Sequence, residues 1–160
     1  MAGLCALGKI DMKRLLHPVW SYSLVGLQFA SIGIILMTGA WFSSHWLGLL
    51  AQLVGVMLGL WAVHTMHLGR FNIVPDPRDD SSLVERGPYR WIRHPMYASI
   101  LWVMLPMVAS DASVQRLAWL LVLVLTLLLK LHYEEYLLCR RFSDYPDYQQ
   151  RSHKLLPWVF

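Results

Sequence analysis

Two long stretches without a charged residue, Val19 to Phe42 and Trp46 to Leu68, constrain this chain more than any other feature. At about 1.5 Å per residue, each can cross a bilayer core of about 30 Å. Of the 160 residues, 56% are hydrophobic and only 15% charged. A soluble domain of this size cannot hide so much apolar surface, whereas lipid accepts it. Met96 to Ala109 is a third apolar helix, shorter and interrupted by Pro106, so it is kinked or supported by its neighbours. Val114 to Arg141 is the fourth, entered from an Asp111-Ala112-Ser113 turn with an N-cap. At roughly 40 Å its last two turns must leave the hydrocarbon. The expected fold is all-α. It is a polytopic membrane protein of about four transmembrane helices (19–42, 46–68, 96–109, 114–141), a single domain over 1–160.

The polar segments sort by charge. Lys9, Lys13 and Arg14 precede the first helix, and Arg70, Arg78, Arg86, Arg90 and Arg93 lie in the loop 69–95. Arg140, Arg141, Arg151 and Lys154 close the fourth helix and the tail 142–160, while the opposite connections carry only Arg116. By the positive-inside rule both termini, the large loop and the tail are cytosolic. The net charge of +4 alone fits an anionic leaflet as well as nucleic acid. Its distribution indicates membrane lipids, and no nucleic-acid partner is expected. There is no signal-peptide pattern. The even number of crossings and the short chain suggest a prokaryotic inner membrane.

Inside the apolar runs a few residues stand out. Gln28 is the most polar member of the first and should face other helices. Gly55-Val56-Met57-Leu58-Gly59 is a GxxxG pattern. Packing within the chain is favoured for it over an oligomer seam. His64 and His67 have helical spacing, but no third ligand is apparent and no metal is expected. Trp20, Trp41, Trp46 and Trp119 sit at helix ends as interfacial anchors.

The chemistry concentrates in Gly87-Pro88-Tyr89-Arg90-Trp91-Ile92-Arg93-His94-Pro95-Met96-Tyr97. Pro95 restricts His94 to an extended conformation and suits the first turn of a helix. A helix should therefore begin at Pro95 or Met96. Its first N–H groups lack internal partners and suit a carboxylate or phosphate. The charge distribution puts this stretch, Glu134-Glu135 and the basic tail on one side of the membrane, so a site assembled from all three is geometrically allowed. Lys130 and Glu134, four apart, can simply pair.

Arg93-His94-Pro95-Met96-Tyr97, preceded by Gly87-Pro88-Tyr89-Arg90, resembles the RHPxY signature of the isoprenylcysteine carboxyl methyltransferases. That superfamily also includes phospholipid N-methyltransferase relatives. Downstream, Glu134-Glu135, Phe142, Tyr145, Tyr148, Arg151 and Leu156-Pro157-Trp158 are similar to the acidic pair, aromatic residues, arginine and Pro-aromatic ending of the family. The resemblance covers about Leu83 onward. Ser99 and Ser143 stand where the family often has glycine, which should alter packing without loss of the cofactor.

The resemblance implies S-adenosylmethionine as methyl donor, bound in a cytosolic cofactor pocket formed by the C-terminal half. Val84, Gly87, Tyr89, Arg93, His94, Pro95 and Tyr97 line it on one side, Glu134 and Glu135 on the other. The glutamates can accept from the donor's ammonium or ribose hydroxyls. Arg90 or Arg93, with the helix start, can take its carboxylate, and Tyr89, Trp91 and Tyr97 offer aromatic faces. The acceptor is a lipophilic small molecule or a lipid-anchored group approaching from the bilayer. A carboxylate acceptor needs a positioning cation, for which Arg151 is the choice, with Tyr145 and Tyr148 beside it. An amine would instead want Glu134 as base. The most favoured reaction is carboxyl methylation of the isoprenylcysteine type. Phospholipid N-methylation or thiol S-methylation are the alternatives. A nicotinamide-dependent membrane reductase, disfavoured by the glutamate pair, and a non-catalytic interaction module are the readings from other classes.

Overall fold

A computed structural model describes residues 18–67 and 83–156. These form five α-helices: α1 (Pro18–Met37), α2 (Trp46–His67), α3 (Pro95–Ser110), α4 (Val114–Arg141) and α5 (Tyr145–Arg151). A 3-10 turn spans Gly87–Arg90. The described part of the chain is therefore all-helical apart from one short bridge, Ile92 with His153.

α2 lies along α3, and α1 lies along α4. The buried core gathers Ile35 from α1, Tyr97, Ala98, Met104, Met107 and Val108 from α3, Leu123, Leu127 and Leu131 from α4, and Leu155 from the tail. Two helices are long and apolar enough to cross a membrane, Trp46–Met66 and Val114–Arg141. Ser21–Met37 and Pro95–Ser110 are apolar but shorter. Only 17% of the α2 span is buried inside the protein, so it is not the core helix of a water-soluble fold. Its Leu47, Leu50, Leu53, Met57 and Leu60 point outward, as do Leu117, Leu121, Leu125 and Leu129 along one side of α4. Such faces suit lipid.

The GxxxG pattern is spent inside the chain. A Cβ on Gly55 would lie 2.8 Å from Cβ of Trp102 and 3.0 Å from the carbonyl oxygen of Ser99, and one on Gly59 3.0 Å from Oγ of Ser99. Ser99 also donates to the Met96 carbonyl over 2.7 Å. A serine is thus accommodated in α3 because a glycine faces it from α2.

The first helix ends at Met37, five residues before the uncharged run does. Thr38 Oγ1 donates to the Ile34 carbonyl over 2.7 Å, and Trp41 Nε1 to the Leu36 carbonyl over 2.7 Å, which close the helix end. The next residues are captured from the α3–α4 connection. Asp111 Oδ2 accepts from the Ala40 N–H at 3.1 Å, and Arg116 Nη2 donates to the Ala40 carbonyl at 3.1 Å. Arg116, 1% exposed, also pairs with Asp111 at 2.8 Å. Absence of charge delimits what lipid can hold, not where hydrogen bonding stops. At the start of α4, Ser113 accepts from the Arg116 N–H, as expected of an N-cap.

Lys9, Lys13, Arg14, Arg70, Arg78 and the closing Pro157 to Phe160 lie outside the described residues, as does the side chain of His67. His64 is exposed.

Candidate functional site

The site begins with a backbone constraint. Gly87 opens the 3-10 turn at φ +59, in the left-handed region that glycine tolerates. A Cβ there would fall 2.6 Å from Oγ1 of Thr65 on α2, so the turn can lie against that helix only with glycine. Pro88 and Tyr89 are buried in the turn, and Trp91 follows with its ring in edge contact with Trp61 at 6.1 Å. The chain then passes through Arg93 and His94 into α3, which starts at Pro95 as its sequence requires. His94, at φ -123 and ψ 60, is not in the extended conformation expected before a proline, because its N–H and carbonyl are drawn to the tail and to the first turn of α3.

The piece from Trp91 to His94 pairs with the tail. The His153 N–H donates to the Trp91 carbonyl at 2.9 Å, the Arg93 N–H to the His153 carbonyl at 2.7 Å, and the His94 N–H to the Lys154 carbonyl at 3.1 Å. Tyr148 Oη donates to the Tyr89 carbonyl at 2.5 Å. The arginine of the signature fastens the two pieces together. Arg93 Nε donates to Glu135 Oε1 at 2.7 Å, and Nη1 donates to the carbonyls of Gln149, at 3.0 Å, and Ser152.

His94, 6% exposed, lies between the two glutamates of α4. Nδ1 is 3.4 Å from Glu134 Oε2, and Nε2 is 3.7 Å from Glu135 Oε1. Burial by itself would lower the imidazole pKa, but hydrogen bonding to and the charges of Glu134 and Glu135 outweigh it and leave it raised. Tyr97 stacks on the His94 ring at 5.6 Å and donates its hydroxyl to Glu134 Oε1. Glu135 is fully buried, with Lys154 Nζ 3.7 Å from its second oxygen. Burial pushes the Tyr145 and Tyr148 phenols up, so both remain neutral hydroxyls.

The remaining expected residues fall around this centre unequally. Val84 is half-buried in the segment before the turn, and Pro95 is buried at the head of α3. Tyr145, wholly buried, and Tyr148 belong to the packed interior of the tail rather than to an open surface. Arg151 lies outside it: its side chain is 61% exposed and pairs with Glu85 at 2.6 Å. Lys130 does not pair with Glu134. Its Nζ donates to Gln28 Oε1 at 2.7 Å and stands 5.2 Å from the centre of the Tyr97 ring. Gln28 faces inward as its polarity in an apolar run suggested, but its partner was not foreseen. The bridge through Ser152, His153 and Lys154 was not foreseen either, and nothing in the residue types there announces it.

Three buried polar atoms in this region have no hydrogen-bond partner among the described residues: His94 Nε2, Glu135 Oε2 and Tyr145 Oη. Buried polar groups are normally satisfied, so these orphans call for a partner that the described residues do not supply. Acceptors on two carboxylates, stacked aromatic rings and a buried imidazole suit a ligand that carries hydroxyls and a positive charge.

The phospholipid methyltransferase family matches residues 43–145. Two rice proteins, from Oryza sativa subspecies indica and japonica, are each 30% identical to the chain over 122 residues, 74% of it. Both are named "Probable protein-S-isoprenylcysteine O-methyltransferase". The chain spans 63% of the length of these relatives. No solved structure matches it.

Proposed function

The chain belongs to the phospholipid methyltransferase family, and from that premise we propose that it methylates the carboxylate of a lipophilic acceptor using S-adenosylmethionine. The reading rests on one observation above the others. Arg93-His94 and Glu134-Glu135, some forty residues apart, close on each other around orphaned polar atoms. The relatives' name, which specifies an isoprenylcysteine O-methyltransferase, favours a carboxylate of the prenylcysteine type.

The residues fit such a cofactor. Glu135 Oε2 and Glu134, which is 21% exposed, supply acceptors for an ammonium or a ribose diol. Tyr89, Tyr97 and Trp91 supply aromatic faces. When bound, the cofactor provides a methyl group activated by a sulfonium. Transfer forms a C–O bond and breaks a C–S bond whose electron pair stays on sulfur. A carboxylate gives up no proton in this step and needs no general base. What the protein contributes is alignment. Tyr97 and His94 hold Glu134, while Arg93 holds Glu135 and closes the tail over the site. An amine acceptor, which the family's description keeps as a second reading, would ask Glu134 to take a proton.

The membrane arrangement belongs to the same proposal. α1 and α3 join the two longer spans to make four crossings, with the site, the tail and both termini on the cytosolic face. The arginine-rich loop and tail support it. Cysteine-accessibility labelling at the exposed Ser44 and Gln150 in sealed vesicles tests it, since labelling of both from the same side would rule it out.

The deciding experiment is calorimetric titration of S-adenosylmethionine into detergent-purified protein, wild type against Glu134→Gln and His94→Ala. Wild type should bind and both variants should bind at least about tenfold more weakly. No heat of binding from a folded wild type would end the reading.

A further inference from the structure

We propose that Lys130 is the residue that grips the anionic group of the acceptor. This rests on the methyltransferase reading and names the substrate contact within it.

Lys130 lies one turn before Glu134 on α4 and is 4% exposed. A buried ammonium has three donors to satisfy. Among the described residues Lys130 has one hydrogen bond, to the neutral Gln28 of α1, and one aromatic face, Tyr97 of α3. It makes no salt bridge with any of them, and the charge of Glu134 reaches it only at longer range. Glu134, the nearest carboxylate along the helix, is taken up by Tyr97 and His94 instead. A buried cation with no carboxylate in contact is costly, and an ionisable group in an apolar span is there for a task unless shown otherwise. Lysine on a spanning helix ordinarily reaches outward to the headgroups. This one points inward, where three helices converge.

Three other described cations near the site are engaged, and Arg90 is exposed. Arg93 binds Glu135 and the tail, Lys154 stands against Glu135, and Arg151 is exposed beside Glu85. Lys130 is set apart from them by chemistry as well. It touches the ring whose hydroxyl holds Glu134, so an anion on its free donors would lie across Tyr97 from the acidic pair. One carboxylate oxygen would accept from the ammonium, and the other would take the methyl group. The acceptor arrives negative and leaves as a neutral ester, so the grip is lost once the bond has formed. A protonated amine would be repelled at the same point.

The test measures acceptor binding directly, with the whole 160-residue chain in lipid nanodiscs. The probes are S-farnesylthioacetate, its neutral amide and farnesylamine. Wild type should prefer the carboxylate over the amide by about tenfold or more, the scale of one charge-assisted hydrogen bond. Lys130→Met should erase that preference, and Lys130→Arg should keep part of it. Neither should lower the melting temperature or the S-adenosylmethionine affinity appreciably, and Lys130→Met, which removes a buried charge, should if anything raise the melting temperature. Equal binding of carboxylate and amide by wild type, an unchanged preference in Lys130→Met, or tighter binding of farnesylamine would each overturn the assignment. Failure of wild type to bind S-adenosylmethionine would instead remove the methyltransferase reading, and the probe affinities would still decide whether Lys130 holds an anion.

Discussion

Arg93 Nε donates to Glu135 Oε1 over 2.7 Å, joining residues 42 apart in a pair that is 7% and 0% exposed. The contact does more than satisfy two charges. Arg93 Nη1 also binds the carbonyls of Gln149 and Ser152, so the pair is the knot between α4, the head of α3 and the tail.

Removing one partner of a buried ion pair costs roughly 3–5 kcal/mol. Arg93→Met should therefore lower the melting temperature sharply and loosen the tail, which limited proteolysis after Phe142 would report. The double variant Arg93→Met with Glu135→Leu should lose less than the sum of the single changes. Strict additivity would show that the two side chains are not coupled.

The raised pKa of His94 sets a direction for pH. Its folded value lies above the ordinary value near 6.5, so the folded state holds the proton more tightly than the unfolded chain. The stabilisation is complete below about 6.5 and disappears as pH rises through the folded value. Thermal stability should fall over that window, and His94→Gln should flatten the profile. A wild-type stability that rises there would contradict the imidazolium between the glutamates.

The glycine seam separates packing from assembly. Gly55→Leu should be severely destabilising at every protein concentration, because its side chain meets the backbone of Ser99. Gly59→Ala meets only the serine side chain, so Ser99→Gly should restore most of any loss. A defect in Gly55→Leu that higher protein concentration repairs would point to a dimer seam.

At Gly87 the strain has two sources. The left-handed backbone costs a non-glycine residue about 1–2 kcal/mol, and the approach to Thr65 adds to it. Gly87→Ala should be destabilised by more than the backbone cost, and Thr65→Ala should recover only the steric part. Full recovery would mean that the backbone conformation is not constrained there.

Tyr97→Phe removes the hydroxyl that Glu134 accepts from while keeping the ring beside His94 and Lys130. S-adenosylmethionine affinity should drop by about threefold to tenfold, the scale of a single hydrogen bond, with little change in fold. Unchanged affinity would take Glu134 out of the cofactor contact.

Much of the architecture can be read from residue types alone. Absence of charge marks the helices, Pro95 marks the start of α3, and Ser113 marks the start of α4, because each acts through its own backbone neighbourhood. The early stop of α1 could not be read this way. It depends on Asp111 and Arg116, more than seventy residues later, reaching Ala40. The signature and the glutamate pair could be singled out as belonging together, since the charge distribution puts both on one side of the membrane and the family resemblance joins them.

Which partner each of those side chains takes was decided only in three dimensions. Helical spacing makes Lys130 a natural mate for Glu134, yet Gln28 and Tyr97 claim the lysine, and Tyr97 and His94 claim the glutamate. The tail's extended run from Ser152 to Lys154 carries no motif, but its backbone groups complete the edge of the site. Periodicity and proline geometry are local, so the order of residues carries them. The pairing of buried charges depends on distances between helices, and those distances exist only once the helices have packed.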